Sequence, residues 1–582
     1  MIKRYLVRTL LVTVLVGGLA GGLASAQNMA PLLPDNTILA LGMQDLTGLS
    51  EQSEAFRDEF QRLGLGEALL AASGGSAEEI PDNLGELEPR LEGVTILDLI
   101  GQEAWIAVSA SSFNPIPSAT LATALPSELT GTVSELLAES VESLDARELE
   151  ESGYTFYQVA IPEPDFPFPG VVYSLADNIL VLSTDPETIR GYLRRAAGEN
   201  GTSLVDTAAY GDTLGSFDAG NFYGYLDVSR VASTVRPFAS GFGFDEAVAQ
   251  LTGLLETVNV STGVIRVTDS GIVSESALVP SAAGNSDLYT LLTQDATADL
   301  GSASFAPTGV LSYTAGSVDL VGWWDYLNSV AQSVPQLGTS LDQLVLSTLG
   351  VDLRNVLFDW TTGDFASITT GVAAPAQPGM PSDNLLGEVA YLLGASDETA
   401  ASEGLGQLFQ TASQTAAMFG SASGSGEATM ETENIGDVTV TTYEIMEGLS
   451  LSYAVTDGYA IIATSADVAR TVVEANSGSN NFVGSDAYNE MTDYAPDGAS
   501  ALAYSDTSAL TEGTAESLLS QLQLASGLGS ASGVNPQALE DAAEPLNEFF
   551  SFVADRVGST YGYSERRDDG ITYSRSEISV SW

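Results

Sequence analysis

Carboxylates dominate the reactive side chains of this sequence: Asp and Glu number 77 against 19 Lys and Arg, with no His and no Cys, for a formal charge of −58 at pH 7. Without imidazole or thiol, neither a Ser-His-Asp nor a Cys-His nucleophile can be assembled, and the usual zinc and copper ligands are missing. Lys3 is the single lysine, so no later segment can supply a Ser-Lys pair, a Schiff base or a phosphate-binding P-loop. What remains is carboxylate chemistry. A glycosidase needs two acids about 5–10 Å apart, and calcium takes carboxylate and carbonyl oxygens. So many acids leave no pair distinguished, and no Asp-x-Asp-x-Asp-Gly loop with its distant Glu occurs. No catalytic residue, cofactor or metal ligand is therefore nominated, and calcium has no assigned place.

Asp269-Ser270-Gly271 matches the Asp-Ser/Thr-Gly signature of aspartic proteases, which need two carboxylates sharing a proton. The corresponding Asp568-Asp569-Gly570 keeps only the turn-forming Asp and Gly, so a hairpin turn is the better reading of both. Arg190, Arg194 and Arg195 form a small basic cluster, an anion site in the sharp reading and charges complementing a helix C-terminus in the bland one. Phe166, Phe168 and Pro169 sit in the Pro-rich stretch Ile161–Gly170, a candidate partner-binding loop or a tucked-in connector.

Lys3, Arg4 and Arg8 precede an apolar run from Thr9 to Leu19 that ends in Ala24-Ser25-Ala26, the pattern of a secretory signal. Cleavage is expected before Gln27. Residues 1–26 carry three basic groups and no acid, so the processed chain has a formal charge of −61. Such a surface repels nucleic acid and anionic lipid, and no later segment is apolar enough for a spanning helix. The expected location is periplasmic, cell-surface or extracellular. Acidity without lysine suits a salt-rich medium, where screening relieves self-repulsion. An exported chain without Cys must be held by cores rather than disulfides.

Two stretches align without gaps at an offset of 280: Tyr173–Arg190 and Tyr453–Arg470. Both read as strand, tight turn, strand and helix, with Asp177-Asn178 and Asp457-Gly458 at the turns and Asp185 or Ser465 as the N-cap. Each copy closes on a hairpin, Gly263–Leu278 and Tyr561–Val580. Each opens on a turn and strand, at Pro34 and at Pro307. After the first strand comes a helix, with Phe56, Phe60 and Leu63 in one copy and Leu320, Trp323, Trp324, Leu327, Val330 and Ala331 expected along one buried face in the other. The pattern predicts an α+β fold of two tandem copies, residues 27–285 and 286–582, each a curved antiparallel sheet with packed helices.

Leu33-Pro34-Asp35-Asn36-Thr37, Gly350–Trp360 leading to Gly363–Ala366, Asp486-Ala487-Tyr488 and the paired Thr-Asp-Gly hairpin resemble a bacterial family of exported proteins. That family is described as a domain of unknown function, number three-three-five-two. The resemblance implies export and duplication and carries over no catalytic residue; Gly93–Gly101 in the first copy departs from the second. The expectation for function is a non-catalytic envelope protein that binds or scaffolds an envelope or extracellular protein or glycan. A carboxylate-dependent secreted hydrolase and a periplasmic carrier of apolar ligands are the alternatives.

Overall fold

The computed structural model describes residues 29–45, 49, 53–64, 103–110, 117–161, 170–199, 201–240, 253, 255–282, 286–294, 296–333, 339–372, 387–420, 430–446, 449–478, 480–515, 517 and 536–582. The expected signal segment, Phe166, Phe168, Pro169 and Gly93–Gly101 lie outside the described residues.

Among the described residues, short β-branched and alternating segments make a sheet of twenty strands. In the first half these are β1 (Thr37–Gln44), β2 (Glu103–Ser109), β3 (Ser118–Ala124), β4 (Arg147–Glu151), β5 (Tyr154–Ala160), β6 (Gly170–Ala176), β7 (Ile179–Ser183), β8 (Phe222–Asp227), β9 (Val260–Thr268) and β10 (Gly271–Val279). In the second they are β11 (Ser312–Ser317), β12 (Thr361–Gly371), β13 (Glu388–Ala395), β14 (Met430–Ile435), β15 (Val438–Met446), β16 (Leu449–Thr456), β17 (Tyr459–Ala463), β18 (Ala501–Asp506), β19 (Val557–Arg566) and β20 (Thr572–Val580). Packed against them are α1 (Glu54–Arg62), α2 (Ser127–Leu144), α3 (Pro186–Ala196), α4 (Glu398–Gly420), α5 (Ala466–Ser477), α6 (Asp486–Tyr494) and α7 (Pro536–Ala554). The fold is α+β, and every pairing is antiparallel.

Following the pairings from one free edge gives β4-β5-β6-β7-β3-β2-β1-β8-β9-β10. From the other edge the pairings give β14-β15-β16-β17-β13-β12-β11-β18-β19-β20. Strands β10 and β20 join the two series over Gly271–Leu278 and Thr572–Ser579. The hairpin turns form because Asp177 and Asp457 adopt φ of 55° and 48°, a conformation Asp tolerates. The following helices are capped by side chains: Asp185 accepts from the Thr188 N–H and Ser465 from the Val468 N–H.

Paired residues point to the same face. One row runs Val181, Ala122, Trp105, Gly42, Tyr223, Val264, Glu275, Arg575, Tyr563, Leu502, Ala315, Ala366, Leu392, Ile461. Its wings are apolar and buried under α3 (Ile189, Tyr192, Leu193) and under α5 (Val468, Val472) with Met491 of α6. Its centre is a carboxylate opposite a guanidinium. On the reverse face, Leu137 of α2 packs on Tyr173 and Leu182, and Leu405 and Phe409 of α4 pack on Tyr443, Tyr453 and Ile462. Helices α1 and α7 tie the halves together through Phe56–Phe552 and Phe60–Phe549 contacts at 5.4 and 5.6 Å.

The buried face expected on the Leu320–Ser333 helix is met in part: Ala331 is buried and Leu320, Trp323, Trp324 and Val330 are half-buried, but Leu327 is turned outward. Tyr326, Asn328 and Ala331 are the helix's buried side chains, and Leu327 is 43% exposed. The cause is polar: Asn328 donates to the Asp342 carboxylate at 3.0 Å and its own Oδ1 accepts the Asp342 N–H at 3.0 Å. Trp324 joins the same pairing, donating to Asp342 and stacking on Phe358. Apolar periodicity cannot register such a bond.

Candidate functional site at the central strand pair

Strands β10 and β20 alternate serine with larger residues, so the pleat sorts them onto opposite faces. Ser274-Glu275-Ser276 runs antiparallel to Ser574-Arg575-Ser576, with Ser274 opposite Ser576, Glu275 opposite Arg575 and Ser276 opposite Ser574. One face therefore presents Glu275 and Arg575 between the two apolar wings. The other presents the four serines.

The Glu275 side chain is only 7% exposed. Its Oε1 accepts a short hydrogen bond from the Tyr573 hydroxyl and lies 3.8 Å from Arg575 Nη1, and its Oε2 lies 3.4 Å from Arg266 Nη2. Burial, and then the bond to Glu275, pushes the Tyr573 phenol well above its ordinary value, so it stays protonated and donates. Arg575 Nε donates to the Tyr494 hydroxyl at 3.1 Å, and its Nη2 is 3.8 Å from Glu577. Arg266 also reaches Asp218 at 3.6 Å. These ion pairs are loose, with the guanidiniums beyond hydrogen-bond distance of the carboxylates.

Aromatic rings surround the charges. Tyr494 lies 5.7 Å from Tyr563, Tyr563 lies 6.1 Å from Tyr573, and Phe217 lies 5.9 Å from Tyr573. Arg567 stands over the Tyr573 ring at 4.3 Å. Phe217 and Asp218 come from the β7–β8 connection and Tyr494 from α6, so segments of both halves pack over the strand pair. Phe217, Tyr494 and Tyr563 are all partly exposed.

On the reverse face Ser274, Ser276, Ser574 and Ser576, with Ser564 and Thr314, line a shallow groove of about 270 Å³ floored by Gly562, Ala501 and Ala503. Ser564 and Ser574 share a hydrogen bond of 2.7 Å.

A second buried acid lies under α3. Glu103 is fully buried; its Oε1 accepts from the Met29 N–H at 2.7 Å, Trp105 Nε1 at 2.8 Å and Gln44 Nε2 at 3.0 Å. Its Oε2 has no hydrogen-bond partner among the described residues. Loss of solvent raises its pKa above the ordinary value, against the pull of those three donors.

The basic cluster is occupied internally. Arg190 pairs with Glu187 and Glu151, Arg194 pairs with Glu151 at 2.6 Å, and Arg195 donates twice to the Leu32 carbonyl. Arg194 and Arg195 occupy the last turn of α3, where cations suit the helix end. Asp269 and Ser270 form the β9–β10 turn, with Gly271 opening β10. Among the described residues no group of three acids is arranged to hold a metal ion. Sequence reasoning missed Glu275 and Arg575. The available signal was the repeated Ser-x-Ser, 300 residues apart and holding opposite charges.

The family model described as "Protein of unknown function (DUF3352)" matches residues 98–539. No curated protein matches the sequence. Among solved structures, crystal form III of TP0453 is 10% identical, with 45% of this chain and 84% of that chain covered and a TM-score of 0.23. Crystal form I of the same protein is 10% identical, with 43% and 77% covered and a TM-score of 0.21.

Proposed function

We propose, for a chain that belongs to the DUF3352 family of unknown function, a non-catalytic exported protein that binds or scaffolds envelope or extracellular molecules through the centre of its sheet. The observation that carries this reading is the Glu275–Arg575 pair, a buried carboxylate opposite a partly exposed guanidinium in an otherwise apolar row across fourteen strands. A residue row built only for stability would continue its apolar side chains through the centre, because a buried ion pair is a poor stabiliser compared with packed hydrocarbon.

The reading takes the chain as two tandem copies of one unit. Equivalent strand orders on either side of β10–β20 support it, as does the pairing of Ser-Glu-Ser with Ser-Arg-Ser, which places a local two-fold between Glu275 and Arg575. Each copy brings part of the cluster, Glu275 and Arg266 from one and Arg575 and Tyr573 from the other, so the cluster exists only where the copies meet. Residue chemistry supports the non-catalytic part: there is no His or Cys, and Glu103, whose pKa burial raises, is sealed from solvent.

The test is affinity isolation of the full chain from the envelope fraction of its own cells, with Arg575→Glu as the paired sample. The wild type is expected to retain a molecule that the variant loses while both show the same circular dichroism spectrum. Identical co-purifying material from both samples would remove this reading.

A further inference from the structure

We infer that two copies of this chain pair face to face across the serine side of β10 and β20. This goes beyond the proposed function, which concerns the opposite side of the same strands. Antiparallel sheets ordinarily turn their polar groups toward water and their hydrocarbon toward the core. Here the charged groups are on the other side. Arg266, Glu275, Glu565, Arg575 and Glu577 share the side over which Phe217 and Tyr494 pack. Among the described residues, the three rows through Ser276, Ser274 and Ile272 on the open side reach β13 without a charged side chain. Arg566, in the row beyond, donates to the Thr572 hydroxyl at 3.2 Å. In a chain with formal charge −58, an open surface free of carboxylates is suited to being covered rather than solvated.

Exposure and size indicate what covers it. Helices α2 and α4 pack on the wings of this side. Between them Leu41 is 49% exposed, Ile265 41% and Tyr391 52%, flanking the shallow groove lined by the four serines. With strands about 4.8 Å apart and same-face residues about 6.8 Å apart, the uncharged area from β1 to β13 measures roughly 40 Å by 20 Å. That matches the ~800 Å² which each partner contributes to a stable interface. A groove this shallow cannot enclose a small ligand, and a charged partner finds no complement on it. A second copy fits. It carries the same acidity elsewhere, so this face is where two copies approach without opposing carboxylates. Ser274 and Ser276 beside Ser576 and Ser574 give the face a local two-fold, and a two-fold contact sets one patch against itself. Hydroxyls suit such a contact because each both donates and accepts.

The experiment is sedimentation equilibrium of the purified full chain from about 1 to about 100 µM, in low and in molar salt. A reversible dimer is expected, tighter in molar salt because screening removes the repulsion between two acidic copies. Ser276→Asp places a charge on the face and should weaken the dimer at least about tenfold in low salt, whereas the similarly sized Ser276→Asn should stay within about threefold of the wild type. Leu41→Glu, near the β1 end of the face, covers the case in which Ser276→Asp fails to fold, and should weaken the dimer by a similar factor. Thr432→Asp on the exposed strand β14, outside the face, should leave it unchanged. A monomer at every concentration and salt overturns the inference and leaves the face to a different partner. A dimer that folded Ser276→Asp and Leu41→Glu do not weaken overturns it as well.

Discussion

Glu275 of β10 and Arg575 of β20 stand directly opposite one another at the junction of the two halves, and Tyr573 and Arg266 complete their surroundings. Removing the acid takes away the acceptor of the buried Tyr573 phenol and one of the two carboxylates beside each guanidinium.

Glu275→Ala should therefore destabilise the protein by roughly 3 kcal/mol, the usual cost of breaking a buried pair. Glu275→Gln, which keeps an acceptor for Tyr573, should cost about half as much. Urea denaturation followed by far-ultraviolet dichroism measures both. Equal, negligible losses would mean that the cluster contributes nothing to the junction.

Glu103 gives a pH-dependent prediction. Its folded pKa lies above the ordinary value of 4.5, so its contribution is fully present below that value and is lost as pH rises through the folded pKa. In Glu103→Gln this dependence disappears. The melting temperature of the wild type, taken relative to Glu103→Gln, should be highest in acid and should decline as pH rises above about 4.5. A difference that stays constant from pH 4 to 8 would contradict the assignment.

Among the described residues the sheet ends on two acidic strands: β4 carries Glu148, Glu150 and Glu151, and β14 carries Glu431 and Glu433. Charged edge strands resist edge-to-edge pairing. Replacing Glu431 and Glu433 with Val should make the chain associate at neutral pH, read by light scattering coupled to size exclusion. Continued monodispersity would show that something other than charge protects that edge.

Gly42 is required by its neighbour. A Cβ there would meet the Trp105 ring at 2.5 Å, and that ring stacks on Tyr223 at 5.8 Å. Gly42→Ala should cost about 1–3 kcal/mol. A loss below ~0.5 kcal/mol would mean that the ring moves freely.

The hairpins were legible because Asp-Asn and Asp-Gly turns bounded alternating apolar runs, and the helix caps at Asp185 and Ser465 were legible from side-chain type alone. Strand order was not, since pairings such as β1–β8 and β3–β7 depend on packing between distant segments. On the Leu320–Ser333 helix apolar spacing marks Ala331, which is buried, but not Asn328, which is buried because its amide is hydrogen-bonded to Asp342. Within its own strand neither Glu275 nor Arg575 is distinguished from the chain's many other charges. Only the antiparallel register that sets one against the other makes them a site.

On the proposed function, ligands meet this protein at the β10–β20 strand pair. A photo-crosslinking amino acid placed at Glu577, with another at Glu433 on the distant β14 edge as reference, tests it in cells. Adducts at 577 that are missing at 433 are the expected result. Adducts at 433 with none at 577 would contradict the account.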